Sequence, residues 1–125
     1  MKVLFIGGTG VISSACSELA VELGIDLTLL NRGRTSRYLP EGVKLLHGDI
    51  NDPDTIALLT DHTWDAVVDW IAFAPEQVQR DIDLFRGRTG QYIFISSASV
   101  YQTPPSNLPV TESKRNVYGF LKPYA

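Results

Sequence analysis

The sequence has a single cysteine, only two histidines and no excess of positive charge, and each shortage removes a class of function. Cys16 cannot close an internal disulfide, so the fold has to rest on a hydrophobic core, and a reducing, cytoplasmic setting is expected. His47 and His62 lie far apart, with no cysteine or acidic cluster at ligand spacing, and no metal site is expected. Lys and Arg number 11 against 14 Asp and Glu, a formal charge of -3. A chain of that balance has no general basic field for a polyphosphate backbone, so nucleic acid is not an expected partner. Long apolar runs are missing too. The opening "MKVLFIGG" has one positive charge and a short apolar run broken by glycines. It is too brief for a secretory signal or a membrane span, and no membrane association is expected.

What is present is a chain of 125 residues, 44% hydrophobic and 20% charged, long enough for one real core and too short for two. Apolar runs of strand length alternate with helical patterns, which is the βαβ signature of an α/β, doubly wound parallel sheet. Strands are expected at residues 2–6, 26–30, 43–47, 66–70 and 92–96, mostly as continuous apolar runs that imply burial on both faces. Right-handed crossovers then give five strands in the order 3-2-1-4-5, with a ligand crevice where strands 1 and 4 diverge. A first helix is expected over 11–23, with Ala15, Leu19 and Leu23 on its apolar side and Gly24 as its stop. A second starts after Asp52 as N-cap with Pro53 at the first helical position, its apolar side being Ile56, Leu58 and Leu59. A third covers 75–85, with Val78, Ile82 and Phe85 facing inward and Glu76 pairing Arg80 on the exposed side.

The stretch "FIGGTGVIS" sets Gly7, Gly8 and Gly10 between a strand and a helix. That arrangement aims backbone N–H groups and the helix dipole at an anion such as a pyrophosphate. Gly7 permits the sharp turn, Gly10 lets the backbone approach the ligand, and a third glycine would let the helix lie close to the sheet. Ser13 stands at that third position. Its hydroxymethyl group is expected to be absorbed by a slight shift or a bond to a nearby carbonyl, loosening the helix packing without blocking the anion site. The bare alternative is a tight turn with no ligand.

Four landmarks occur in order: "GGTGVIS", "NRG", "GDI" and "FISSASVY", each after a predicted strand. Together they resemble the extended short-chain dehydrogenase/reductase family, in particular its NAD-dependent epimerase/dehydratase branch, over residues 1 to about 112. The resemblance implies a Rossmann-like domain that binds a nicotinamide dinucleotide, NAD or NADP, and is completed by a C-terminal substrate region that this chain lacks. It places Gly7, Thr9, Gly10, Val11 and Ile12 along the diphosphate. At the end of strand 2 an NAD-preferring pattern has an acidic residue for the ribose, whereas this chain has Asn31 and Arg32. Arginine there favours a 2'-phosphate and so NADP, the bare alternative being a solvated loop charge. Asp49 matches the acceptor of the adenine amino group, with Ile50 beside the ring, and Ile71 and Ala72 follow strand 4 along the cofactor. Trp70, bulky where the family has small residues, reads as core or as ligand contact.

Ser97 matches the family hydroxyl that hydrogen-bonds the reacting oxygen of the substrate. The tyrosine and lysine of the family's YxxxK pair have one counterpart in "YGFLK", Tyr118 and Lys122. Gly119 and the Pro123 that follows Lys122 argue against a stable helix there. The organisation expected is a dinucleotide-binding domain over 1–112 and an irregular tail over 113–125. The expected function is the cofactor-binding part of an oxidoreductase that passes hydride to or from a sugar-nucleotide-like or related small-molecule substrate. Turnover by this chain alone is not expected. A non-catalytic dinucleotide-binding sensor or regulatory module is the alternative. An uncovered strand-5 edge would also promote self-association.

Overall fold

The structure, a computed structural model, describes residues 1–33, 39–97, 101, 104 and 108–111. The chain divides into two compact units, Met1–Ile95 and Ser96–Ala125. In the first, elements alternate as β1 (Lys2–Ile6), α1 (Val11–Glu22), β2 (Asp26–Asn31), β3 (Lys44–His47), α2 (Pro53–Thr60), β4 (Trp64–Asp69), α3 (Pro75–Phe85) and β5 (Thr89–Phe94). All pairings are parallel and the order is β3-β2-β1-β4-β5, as the alternation of strands and helices requires. No described helix is long and apolar enough to cross a membrane.

β1 is central, and its side chains split between two cores. Leu4 and Ile6 join Leu30, Leu59, Val67 and Phe85 on one face; Val3 and Phe5 join Leu27, Leu29, Val68 and Ala20 on the other. Burial on both faces is thus real for β1, β2 and most of β4, but not for the edges. β3 and β5 are largely exposed or half-buried, because an edge strand has a neighbour on one side only. The strand limits also move. β4 starts at Trp64 and β5 at Thr89, since Trp64 pairs with Thr89 and Ala66 with Gln91 in register, so Trp64 and Asp65 extend β4, and Thr89, Gly90 and Gln91 extend β5, ahead of their continuous apolar runs.

Two helices present different faces from those their apolar spacing suggests. α1 buries Ser13, Ser17 and Ala20, while Leu19 and Leu23 are exposed and Ala15 lies outside. Small side chains let this helix approach the sheet, and the Ser17 hydroxyl replaces an apolar contact by donating to the carbonyl of Ser13 at 2.9 Å. α3 buries Asp81 and Phe85 and leaves Ile82 exposed. In α2 the Asp52 cap is as expected: its carboxylate accepts from the Thr55 N–H at 3.2 Å and from the Thr55 hydroxyl at 3.0 Å. The buried side chains of α2 are Thr55 and Leu59, with Leu58 exposed.

Thr55 is thereby locked beneath Gly48, the residue that carries the chain from β3 toward α2. A Cβ at Gly48 would overlap the Thr55 Oγ1 and stand 2.8 Å from its Cγ2. Thr55 is buried and tied to Asp52, so it has no easy retreat. Gly48→Ala is therefore expected to lower stability by about 1–3 kcal/mol, the usual range for overpacking, measured as a fall in the urea midpoint at unchanged slope.

Candidate cofactor site

Where β1 ends, the chain turns through Gly7 and Gly8 at φ +93° and +113°, a region that side chains rarely adopt. Space is also closed there. A Cβ on Gly7 would come within 2.8 Å of Ile71 Cγ2, and one on Gly8 within 2.8 Å of Leu29 Cδ2. The Gly7 N–H donates to the Leu30 carbonyl at 2.9 Å, tying the turn to β2. Gly10 is extended and N-caps α1, so the first-turn N–H groups of the helix open toward the crevice.

Ser13 resolves the missing third glycine in an unforeseen way. It is buried, and its Oγ accepts from the Gly10 N–H at 2.8 Å. The hydroxyl thus meets a donor and not the nearby carbonyl expected of it. It ties the first turn of α1 to the end of the glycine loop.

Above this turn a cavity of about 430 Å³ opens at the carboxyl ends of the strands. Gly7, Thr9, Gly10, Asn31, Arg32, Asp49, Ile50, Ile71 and Ala72, drawn from four separate segments, all line it. Val11 and Ile12 do not; their side chains are 80% and 70% exposed at the start of α1. Trp70 is both things the sequence allowed, packing edge-on against Phe5 with ring centres 5.4 Å apart while lining the cavity. Ser97 is exposed and belongs to the second unit. Tyr118 and Lys122 lie outside the described residues.

The polar groups on the wall are already organised. Asn31 donates from Nδ2 to the Thr9 hydroxyl at 3.1 Å, joining the end of β2 to the glycine loop. Asp49 accepts at one oxygen from the Asn51 backbone and side chain at 2.9 and 2.7 Å, and its other oxygen is 3.8 Å from Arg32 Nη1. That ion pair is half exposed, so it orients Arg32 more than it stabilises the fold.

Sequence reasoning missed the opposite wall. Arg80 lines the cavity with its Nη1 on the Asn51 side-chain oxygen, and donates from Nε and Nη2 to Asp81 at 2.7 and 2.9 Å. It therefore does not serve Glu76 on an exposed face. Below it, Asp69 at the end of β4 accepts from the N–H groups of Ile71 and Ala72 at 3.0 and 2.9 Å and from the Tyr92 hydroxyl at 2.7 Å. Burial pushes the Asp81 carboxyl up from its ordinary value, against the pull of Arg80 and with the help of nearby Asp69. Burial and then the Asp69 contact push the Tyr92 phenol far up, so it stays a donor. One signal was available: Asp81 interrupts the stripe between Val78 and Phe85, where an unpaired charge is not tolerated.

Residues 3–125 match the family described as NAD dependent epimerase/dehydratase, a span that includes the residues after Glu112. A UDP-glucose 4-epimerase of Lactobacillus helveticus is 30% identical over 98% of this chain, and the chain spans 44% of that relative's length. Among solved structures, the epimerase Mth375 of Methanothermobacter thermautotrophicus aligns over 93% of this chain and 41% of its own, with a TM-score of 0.76 and 17% identity. The Bordetella bronchiseptica enzyme WbmH, solved in complex with NAD+, aligns over 94% and 46%, with a TM-score of 0.67 and 22% identity. At such identities the structural likeness speaks for the Rossmann-type fold, and the family assignment rests on the sequence match: this chain belongs to the NAD dependent epimerase/dehydratase family.

Proposed function

We propose that this chain is the dinucleotide-binding part of an epimerase/dehydratase-type oxidoreductase, acting on a hydroxyl or carbonyl carbon of a sugar-nucleotide-like substrate. The observation that carries the reading is the cavity: one space at the strand ends holds the glycine turn, the Asn31–Arg32 corner and the Asp49–Ile50 pair together. The fit to a dinucleotide is steric as well as chemical. The Gly7–Gly8 turn is packed down on Ile71 and Leu29 with no side chain of its own, and the α1 N-terminus follows it directly, so a diphosphate in the cavity would meet bare backbone and helix N–H donors. Ser13, having accepted from Gly10, keeps its own hydroxyl proton to donate.

At the far end, Asp49 is placed to accept from an adenine amino group beside Ile50, and Arg32 favours a 2'-phosphate, hence NADP over NAD. Asn31, which stands where an acid would bind a 2'-hydroxyl, spends its amide on Thr9. The bound cofactor would supply hydride exchange at its nicotinamide. This chain's residues would hold it, exclude water from the diphosphate, and, through Ser97 with Tyr118 and Lys122, polarise the substrate oxygen and move its proton. The substrate class follows the UDP-sugar named for the relatives and stays a proposal, since the chain spans under half of their length.

Two outcomes are expected from calorimetric titration with NAD, NADH, NADP and NADPH. One redox pair binds, and Gly10→Val, which places a branched side chain against Ser13 Oγ, abolishes the heat while thermal unfolding shows the variant folded. Binding by neither pair, with the protein folded, refutes the reading. Arg32→Ala is expected to weaken NADP(H) by about tenfold or more, the value of one charge-assisted contact, and to leave NAD(H) within about twofold. Equal effects on both would take Arg32 out of the specificity corner.

A further inference from the structure

In the wall formed by α3, Arg80 makes one more contact than its buried partner requires. Asp81 is fully buried, and Arg80 covers both of its oxygens, from Nε at 2.7 Å and from Nη2 at 2.9 Å. That fork alone neutralises the acid. Yet Nη1 of the same guanidinium donates to the side-chain oxygen of Asn51, 29 residues earlier in the connection between β3 and α2. Asn51 in turn donates from Nδ2 to Asp49 Oδ1 at 2.7 Å, and its backbone N–H reaches the same oxygen at 2.9 Å. One unbroken chain of contacts thus runs from the buried side of α3 to a carboxylate that lines the cavity.

Each link in this chain has a fixed direction. An amide accepts at one end and donates at the other, so turning Asn51 over would set a donor against Arg80 and an oxygen against the Asp49 carboxylate. Asn51 is exposed, so hydrogen bonds and not packing hold its side chain. Arg80 is fixed as well, with two of its nitrogens committed to an acid that has no exposure to water. Two donors from one residue on Asp49 Oδ1 restrict rotation of the carboxylate, whose other oxygen stands 3.8 Å from Arg32.

We propose that Arg80 and Asn51 are positioning residues for the adenine end of the cavity: anchored on Asp81, they hold Asp49 in the orientation that accepts from an adenine amino group. They thereby select adenine over a base that carries an oxygen at that place. The proposal rests on the dinucleotide reading, in which Asp49 is that acceptor. The base is read by Asp49, and the angle of reading is set on α3. Lysine could not replace Arg80 here, because a point charge on a flexible stem satisfies Asp81 or reaches Asn51 but does not span both.

The test is titration calorimetry of the whole chain with NADP and NAD, each beside its hypoxanthine analogue, in which an oxygen replaces the 6-amino group. The wild type is expected to bind the adenine form of its preferred cofactor about tenfold tighter or more, the worth of one hydrogen bond to a charged group. Arg80→Lys keeps a cation on Asp81, and Asn51→Ala removes an exposed side chain. Each should bring the ratio to about threefold or less, and combining them should lower it no further, since both cut the same chain of contacts. A role confined to supporting the fold would weaken both forms equally and leave the ratio where it was. Thermal unfolding checks that the variants are folded, and Asn51→Ala decides alone if Arg80→Lys does not fold. Variants that keep the wild-type ratio overturn the proposal and leave the cofactor reading intact. A wild type that binds both forms equally takes Asp49 out of the adenine contact, and the proposal falls with it. Failure of every dinucleotide to bind refutes the cofactor reading and the proposal together.

Discussion

The turn from β1 into α1 is possible only where two side chains are absent, and the rest of the site is assembled on that constraint. Gly7 sits against Ile71, just past the end of β4, and bonds the Leu30 carbonyl of β2, and Gly8 sits against Leu29 of β2. Three strands are thus pinned to one short loop at the point where the strand order reverses. Ser17 adds the helix to the same junction, its hydroxyl lying 3.4 Å from the Gly8 carbonyl. Closeness of backbone to sheet is what leaves exposed N–H groups above and an open space at the strand ends, so the cavity is a by-product of tight packing below it.

The second organising feature is polar and works against the first in energetic terms. A sheet interior of Leu, Ile, Val and Phe is a poor place for carboxyl groups, and each unpaired one would destabilise the fold. Asp69 is tolerated because its three donors are themselves groups that lack other partners once β4 has ended and the chain turns toward α3. Asp81 is tolerated because Arg80, next to it in sequence, bends back to cover both of its oxygens. Such a network contributes little net stability compared with an apolar replacement, but it holds the β4–α3 loop in one geometry. Rigid placement of a loop beside a ligand site is worth more to binding than to folding.

The legible parts of the molecule are those whose physics is local. Continuous apolar runs gave away the parallel sheet and its order, and glycines at a strand end gave away the turn, because both follow from the chemistry of a few adjacent residues. Pro75 and the Asp52–Pro53 pair likewise set the starts of α3 and α2. The faces of α1 and α3 were not legible. In α1 the inward positions are Ser13, Ser17 and Ala20, chosen for size, and hydrophobic spacing is blind to size. In α3 the inward position is an acid held at both oxygens by the neighbouring Arg80, a pairing that apolar periodicity does not encode. β4 and β5 begin earlier than their continuous apolar runs because hydrogen-bond register, not hydrophobicity, sets where a strand starts. Nine of the expected cofactor-side residues meet in one cavity, whereas Arg80, Asn51 and Gln77 on its far wall escaped notice. They arrive from a loop and a helix that carry no motif.

Charge around the cavity follows one rule. Each arginine on the wall is already held by an aspartate, Arg32 by Asp49 and Arg80 by Asp81. A chain of net charge -3 does not draw an anion in by its overall field, so attraction has to come from donors placed at short range. Anchoring the guanidinium groups on acids cancels most of their long-range effect but fixes where their remaining N–H groups point. The glycine turn does the same with backbone N–H groups, which carry no formal charge at all. Selectivity in such a site comes from matching fixed donors to the shape of a diphosphate and its sugar, and it resists salt better than a cluster of unpaired lysines would. The two aspartates thus set where the cavity's arginines stand: without them the arginines would be stronger charges in less certain positions.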